Sequence, residues 1–539
     1  MSGIGHTTSW TTATGDARID GILNTLHWGD ATLSYSFPGG SWEYDSSYGA
    51  GEQFGLYTAS TGIQTTAGFG LDTAAGTAAN DGFSLEGFTA LDVTSTTLPK
   101  AHLRLAQTSL DPYGYGTAWS YFPYAGDEGG DVWFSDVAFD FSSPRAGNYS
   151  HITVLHEMGH ALGLEHAHEI GSFGAVPADY NAMEFTIMTY RSYLGSTGTA
   201  YENETWGYAQ SFMMLDIAAL QHLYGADYET NSGDTRYSWT PDSGQTLVNG
   251  EVAINPGNNR IFATIWDGGG TDTFDLTAYD TDLVIDLAPG AASVFSSEQL
   301  ARLGDGERPS GNIYNALLHE GDTRSLIENA LGGSGDDIIS GNQANNDLSG
   351  KRGRDTLSGL DGDDRLNGGA GRDKLIGGTG EDMLSGKIGR DRLLGNAGAD
   401  DLAGGAGNDI LRGGYGKDVL SGKDGDDTLI GGKGEDALYG HEGADTFRFI
   451  KVSDSRPFVK SDHIRDFISG TDLIDLSKLT SGSFTLEIDG RFSGDGPGVI
   501  TRVDGDDILV RADTDGDRKA DFGIVLDAVS AIDVGDLLL

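Results

Sequence analysis

GRDTLSGLDGDDRLNGGAGRDKLIGG, residues 353–378, decides the fold of the C-terminal half of this chain. Asp355, Asp364 and Asp373 stand nine residues apart, and two places after each comes a leucine: Leu357, Leu366 and Leu375. Followed in both directions, the acidic position is held by Asp337, Asp355, Asp364, Asp373, Asp382, Asp391, Asp400, Asp409, Asp418, Asp427, Asp436 and Asp445, with Asn346 replacing one member. The apolar position runs in step from Ile339 through Leu348 to Phe447. Glycines before each aspartate permit a tight turn at positive φ, and the apolar residue of a very short strand points inward. One such unit buries little, whereas stacked units build a thin continuous core. Stacking also lines up rows of carboxylates, which repel one another until a cation lies between them. A disordered Gly/Asp linker would share the composition but not the fixed offset between Asp and Leu.

The unit resembles the GGxGxDxUx nonapeptide of RTX proteins, and that resemblance implies a parallel β-roll with several Ca²⁺ ions held by turn carbonyls and by the twelve aspartates named above. GNQANNDLS, residues 341–349, departs from the pattern with Ala344 for Gly and Asn346 for Asp, which weakens the expectation of calcium beside it.

Upstream, SHITVLHEMGHALGLEH, residues 150–166, reads as a helix, because Val154, Leu155, Met158, Ala161 and Leu162 recur at helical spacing. Ser150 is the expected N-cap and Gly163 the expected stop. His156 and His160 then lie one turn apart on one face, and the turn at Gly163 brings back His166 as a third imidazole. Such a set suits zinc and leaves a position open for water. Glu157, beside a ligand but not expected to be one, is placed to take a proton from that water as general base. HExxHxxGxxH resembles the zinc signature of metzincins. FTIMTYRSY, residues 185–193, resembles their Met-turn, with Met188 as an apolar floor and Tyr190 as a phenol able to donate a hydrogen bond to a developing oxyanion. FMMLDIAALQHLYG, residues 212–225, reads as a second helix, and TLSYSFP (32–38) and HLRLAQ (102–107) as strands. QTTAGFGLDTAAGTAANDGF, residues 64–83, reads as a poor amphipathic helix.

Composition narrows the partners. The formal net charge is -47, from 34 Lys+Arg against 81 Asp+Glu, which argues against nucleic acid and anionic membrane. The chain has no cysteine, so a metal must be held by His and carboxylates. No stretch has the length and hydrophobicity of a transmembrane segment, and the N-terminus lacks a basic start and an apolar run.

Zinc motif, Met-turn and nonapeptides together with LSYSFP (33–38), GGDVWF (129–134), TIWDGGGTDTFDL (264–276) and IENALGGSGDD (327–337) resemble the serralysins, secreted bacterial zinc metalloproteases, over nearly the whole chain. The resemblance implies a propeptide-like segment at 1–18 and an α+β metzincin catalytic domain at 19–235. It further implies a transition at 236–330, RTX repeats of all-β parallel β-roll fold at 331–449, and a β-rich segment with a type I secretion signal at 450–539. It implies an extracellular endopeptidase that lays a protein or peptide substrate along an edge strand near Ala118–Tyr121. Export is expected through type I secretion machinery without a cleavable leader, directed by an ending of the kind formed by Asp536, Leu537, Leu538 and Leu539. The oligomeric expectation is a monomer, with no membrane insertion. The alternative reading is a calcium-dependent RTX adhesin or surface protein with an inactive metzincin-like head. Two features depart from the family: Ala167 follows His166 where proline is usual, and His168 stands close enough to compete as third ligand. DTDGDRKAD, residues 513–521, reads either as part of a calcium loop or as a plain Asp/Gly turn.

Overall fold

The computed structural model describes residues 6–44, 48–49, 51–114, 116–137, 139–197, 200–457, 460–487 and 490–539. The chain forms two compact units. One runs to Ala278 and takes in Leu287–Ile327, and the other comprises Tyr279–Asp286 and Glu328–Leu539. Residues 1–5 of the expected propeptide-like segment lie outside the described residues.

The first unit is α+β. Its main sheet has the strand order Asp92–Ser95, Thr32–Ser36, Leu103–Thr108, Asp131–Ser135, Ala118–Ser120, with Leu56–Thr58 also paired to Leu103–Thr108. The first four strands are mutually parallel, and Ala118–Ser120 closes the edge antiparallel to Asp131–Ser135. Leu103–Thr108 and Asp131–Ser135 are buried along their whole length, as expected of strands covered on both faces. Their register sets Arg104 opposite Asp131, and the two side chains form a fully buried ion pair at 2.7 Å with the Tyr44 ring stacked 4.2 Å from the guanidinium. Burial raises the Asp131 carboxyl to about 7 against the opposing pull of Arg104.

The helix Tyr149–Ala161 lies in the core, with Ile152, Val154, Leu155 and Met158 fully buried. Its cap is Asn148, whose side chain accepts from His151 N at 2.9 Å; this corrects the assignment to Ser150, which falls inside the first turn. The helix stops at Ala161, and Gly163 at φ 105° turns the chain so tightly that a β-carbon there would sit 3.0 Å from Leu26 O. The poorly amphipathic stretch 64–83 contributes its first residues to a helix, Thr61–Leu71, capped by Ser60 accepting from Ile63 N. Its glycines, which blur any amphipathic pattern, serve close packing. A β-carbon on Gly70 would meet Leu155 Cδ2 at 2.6 Å and Met158 Cε at 2.8 Å, so only glycine lets the two helices approach this closely. The third long helix, Met214–Tyr224, ends at Gly225 with φ 82°. Residues from the expected N-terminal segment are woven into this unit: Thr8–Trp10 pairs antiparallel with Leu26–Trp28, and Asp30 accepts from both Thr7 N and Thr7 Oγ1.

The second unit is the β-roll. Successive strands alternate between two parallel sheets, so each residue pairs with the one eighteen places on: Leu357 with Leu375, and Leu366 with Leu384. The leucines at the apolar position of the repeat, from Leu348 to Leu438, point inward and are at most 2% exposed. The turn glycines are demanded by contact, since a β-carbon on Gly371 would lie 1.5 Å from Gly353 O in the coil before it. Beyond the repeats, Asp462–Ile464 and Leu473–Asp475 extend the two sheets, and an antiparallel group, Gly498–Asp504, Asp507–Asp513 and Phe522–Leu526, finishes one of them. Leu537–Leu538 pairs with Ile474 and Asp475 in the other.

Each repeat aspartate uses one oxygen to hold the coil before it, as Asp373 Oδ1 accepts from Asp355 N at 2.9 Å. From Asp355 to Asp445 the other oxygen is buried with no hydrogen-bond donor among the described residues. Burial raises these carboxyls above their ordinary 3.8, Asp355 to about 7 and Asp373 to about 6. In the cation-free fold the protonated form is therefore favoured, and the associated stability is present below pH 4 and lost as pH climbs through 6 to 7. Circular dichroism in chelator should show the thermal midpoint of the roll falling across that window, with saturating calcium abolishing the fall. A midpoint indifferent to both pH and calcium would mean that the orphaned oxygens carry no energetic penalty.

Candidate metal centre and catalytic cleft

His156 and His160 project from the helix Tyr149–Ala161, and the turn at Gly163 returns His166 to them. The Nε2 of His166 lies 3.3 Å from that of His156 and 3.0 Å from that of His160. Each ring is oriented from behind through Nδ1: His156 by Ile187 O at 2.7 Å, His160 by Leu164 O at 2.6 Å and His166 by Glu169 Oε1 at 3.1 Å. A ring that donates Nδ1–H to an acceptor presents a bare Nε2, which is the metal-binding tautomer. Burial lowers all three imidazoles, His156 to about 3, and keeps them neutral. Three neutral, convergent nitrogens with no proton to share at their meeting point fit a zinc ion held by His156, His160 and His166. His168 is exposed and groups only with His166 and Glu169, so it does not take the third place.

The floor of the site is tied down independently. Met188 is fully buried with its sulfur against Gly159, where a β-carbon would lie 2.6 Å from Sδ. Asp216 caps the helix Met214–Tyr224 by accepting from Met213 N at 2.9 Å, and the same carboxylate accepts from Ile187 N at 2.9 Å. The carbonyl that orients His156 is thus fixed by a residue on another helix. Tyr190 places its hydroxyl 2.8 Å from His166 Nε2.

Glu157 lies beside this triad and outside it. Its Oε2 accepts from Ser120 Oγ at 2.8 Å, and burial raises the carboxyl to about 7 while the Ser120 hydrogen bond pulls it down. Ser120 ends the edge strand, so that strand contributes to the cleft directly. The cleft has a volume of about 430 Å³. Tyr149, Ile152, Thr153 and Tyr201 line it on one side, and Phe122, Glu165 and Glu169 also face it.

Among the residues the motifs did not reveal, Glu169, Ser120 and Asp216 matter most. Glu169 stands three places after His166, a spacing that carries meaning only once the local turn is known. In the roll, Asp462 and Asp472 continue the two carboxylate rows, accepting from Asp436 N and Asp445 N at 3.1 Å each. They escaped the period because they follow at 26 and 27 residues instead of 18. The repeat rows fit Ca²⁺: hard, anionic oxygens, buried and lacking donors. Asn346 fits it less well, since its amide nitrogen already donates to Glu328 O at 2.9 Å. Asp513 accepts from the backbone N–H groups of Asp515, Gly516 and Arg518, the pattern of an Asp/Gly turn.

The model of the peptidase M10 serralysin C-terminal domain matches residues 226–535. The chain belongs to the serralysin family. Curated relatives of this serralysin-family chain include the serralysin of Proteus mirabilis, 33% identical over 247 residues, which is 44% of this chain and 45% of that protein. Serralysin C of Dickeya chrysanthemi is 34% identical over 242 residues, 42% of this chain and 43% of the relative. The metalloprotease AprA of Pseudomonas entomophila (strain L48) is 31% identical over 247 residues, 42% and 44% respectively. The serralysin-family chain thus spans just under half the length of the curated relatives it matches.

Because Glu169 orients His166 through Nδ1, Glu169→Gln should weaken zinc binding about tenfold while leaving the fold intact. Competition with a chromogenic chelator measures this, and an unchanged affinity would remove Glu169 from the metal-supporting set.

Proposed function

We propose that the protein is a secreted zinc-dependent endopeptidase whose β-roll is stabilised by calcium. The convergence of three Nδ1-anchored imidazoles beside the buried carboxylate of Glu157 carries this reading, and the family supports it. Zinc bound by His156, His160 and His166 would supply Lewis acidity, making water nucleophilic near neutral pH.

The remaining work falls to the chain. Glu157, held at the cleft wall by Ser120, accepts the proton of the attacking water and returns it to the leaving amine. Its burial raises its basicity toward the range where both transfers are feasible, and Ser120 fixes which oxygen faces the cleft. Tyr190, within hydrogen-bond reach of the third histidine, donates to the oxyanion that develops on the scissile carbonyl. Among the described residues the strand Ala118–Ser120 ends its sheet, and a substrate backbone can add beside it as a further strand, which supports protein chains as substrates. The twelve repeat aspartates are proposed as calcium ligands, and type I export with folding in a calcium-rich medium outside the cell follows the family resemblance. Calcium there would offset the carboxylate repulsion that opposes folding without it.

Hydrolysis of casein in calcium-containing buffer tests the reading. Wild type should lose activity to a zinc-selective chelator and regain it with zinc, and Glu157→Ala should cut kcat by about a thousandfold. A protein that binds zinc but cleaves nothing would point to a calcium-dependent surface protein instead. Ser120→Ala removes a hydrogen bond that favours the carboxylate, so the acid limb of the kcat/KM profile should move to higher pH, by less than about one unit. Movement to lower pH would contradict the role given to Ser120.

A further inference from the structure

The two ends of the cleft differ in chemistry. Ser120 meets Glu157 and Phe122 meets His160, with ring centroids 5.4 Å apart, so the edge strand and the helix Tyr149–Ala161 run in the same direction. Tyr149 and His160 are separated by eleven residues of helix, about 16 Å. At the Tyr149 end the wall is aromatic and aliphatic, with Ile152 fully buried. At the His160 end it carries Glu165 and Glu169.

Glu165 is a half-buried carboxylate, anchored by Asn24 Nδ2 at 2.5 Å, with its backbone N–H bound to Ile22 O at 2.8 Å. It is therefore held in place and not free to swing into solvent. Among the described residues neither Glu165 nor Glu169 forms an ion pair with lysine or arginine, and Glu169 is engaged with His166. Two carboxylates thus share one rim, one of them partly desolvated, with no lysine or arginine among the described residues paired to either. A partly buried anion of this kind gains from a positive side chain brought to it and repels a negative one.

We propose that Glu165 selects substrates carrying a lysine or arginine side chain at the His160 end of the cleft. This rests on the endopeptidase reading above. The chain's overall negative charge attracts basic substrates from a distance, but that field acts on every position of a peptide alike. A selective contact acts at one.

The test is a set of fluorogenic peptides on one backbone, with lysine, norleucine or glutamate placed in turn at each of four positions around the scissile bond. Norleucine keeps the aliphatic stem and removes the charge. Wild type in calcium and zinc should favour lysine over norleucine by about three- to tenfold in kcat/KM at one position, with glutamate poorest there. Glu165→Gln should bring the lysine-to-norleucine ratio at that position close to one, and Glu165→Lys should invert the order of lysine and glutamate. A lysine preference spread evenly over all positions, or one that survives both substitutions, overturns the proposal. If wild type cuts none of the peptides and no casein, the endopeptidase reading itself has failed.

Discussion

A buried polar atom without a partner is costly, and each candidate metal centre of this protein gathers polar atoms whose groups are held in place by partners on their other side. Each imidazole gives Nδ1–H to an acceptor and turns Nε2 toward the common centre. From Asp355 to Asp445 each repeat aspartate accepts with Oδ1 from the N–H of the preceding coil and is left with Oδ2. The fold thus fixes every ligand through one atom and reserves the other. The resulting sites are geometrically prepared and electrostatically unsatisfied, which is the condition for binding a cation tightly.

The two units reach that condition by different routes. In the α+β unit each ligand is oriented by a different partner: Ile187 O for His156, Leu164 O for His160 and the Glu169 carboxylate for His166. Asp216 then ties Ile187 to the helix Met214–Tyr224, so helix packing and ligand orientation are linked through a single carboxylate. In the β-roll one solution is repeated at each coil, and neighbouring carboxylates add their repulsion to burial, as at Asp355 and Asp364. Errors in one coil are therefore local. Asn346 illustrates this: its amide completes hydrogen bonds of its own while Leu348 stays in the core and the parallel register continues.

Glycine contributes differently in the two units. In the roll it is required by carbonyls of the preceding coil, which lie where a β-carbon would be. In the α+β unit Gly70 and Gly159 are required by neighbouring side chains: Leu155 and Met158 in one case, the Met188 sulfur in the other. The Gly/Thr-rich stretch that disguises the helix Thr61–Leu71 is thus the surface against which the histidine-bearing helix is packed. Local pattern and tertiary need conflict there, and packing wins.

The sequence by itself determined the β-roll, because a period of nine with a fixed Asp-to-Leu offset admits one stacking and is read without knowing any distant contact. It also determined the three histidines and Glu157, because their spacing lies within one helix and the turn that ends it. Tertiary structure decided the rest. Ser120 reaches Glu157 across 37 residues, and Asp216 reaches Ile187 across 29, so no local pattern could have joined them. Asp462 and Asp472 complete the carboxylate rows only because the chain folds back into register after the period has broken. The helix cap fell to Asn148 instead of Ser150, and the helix Thr61–Leu71 formed against its propensity. The cap was settled locally, by Asn148 accepting from His151 N, whereas at the helix Thr61–Leu71 packing against residues far away in sequence outweighed the preference of the residues alone.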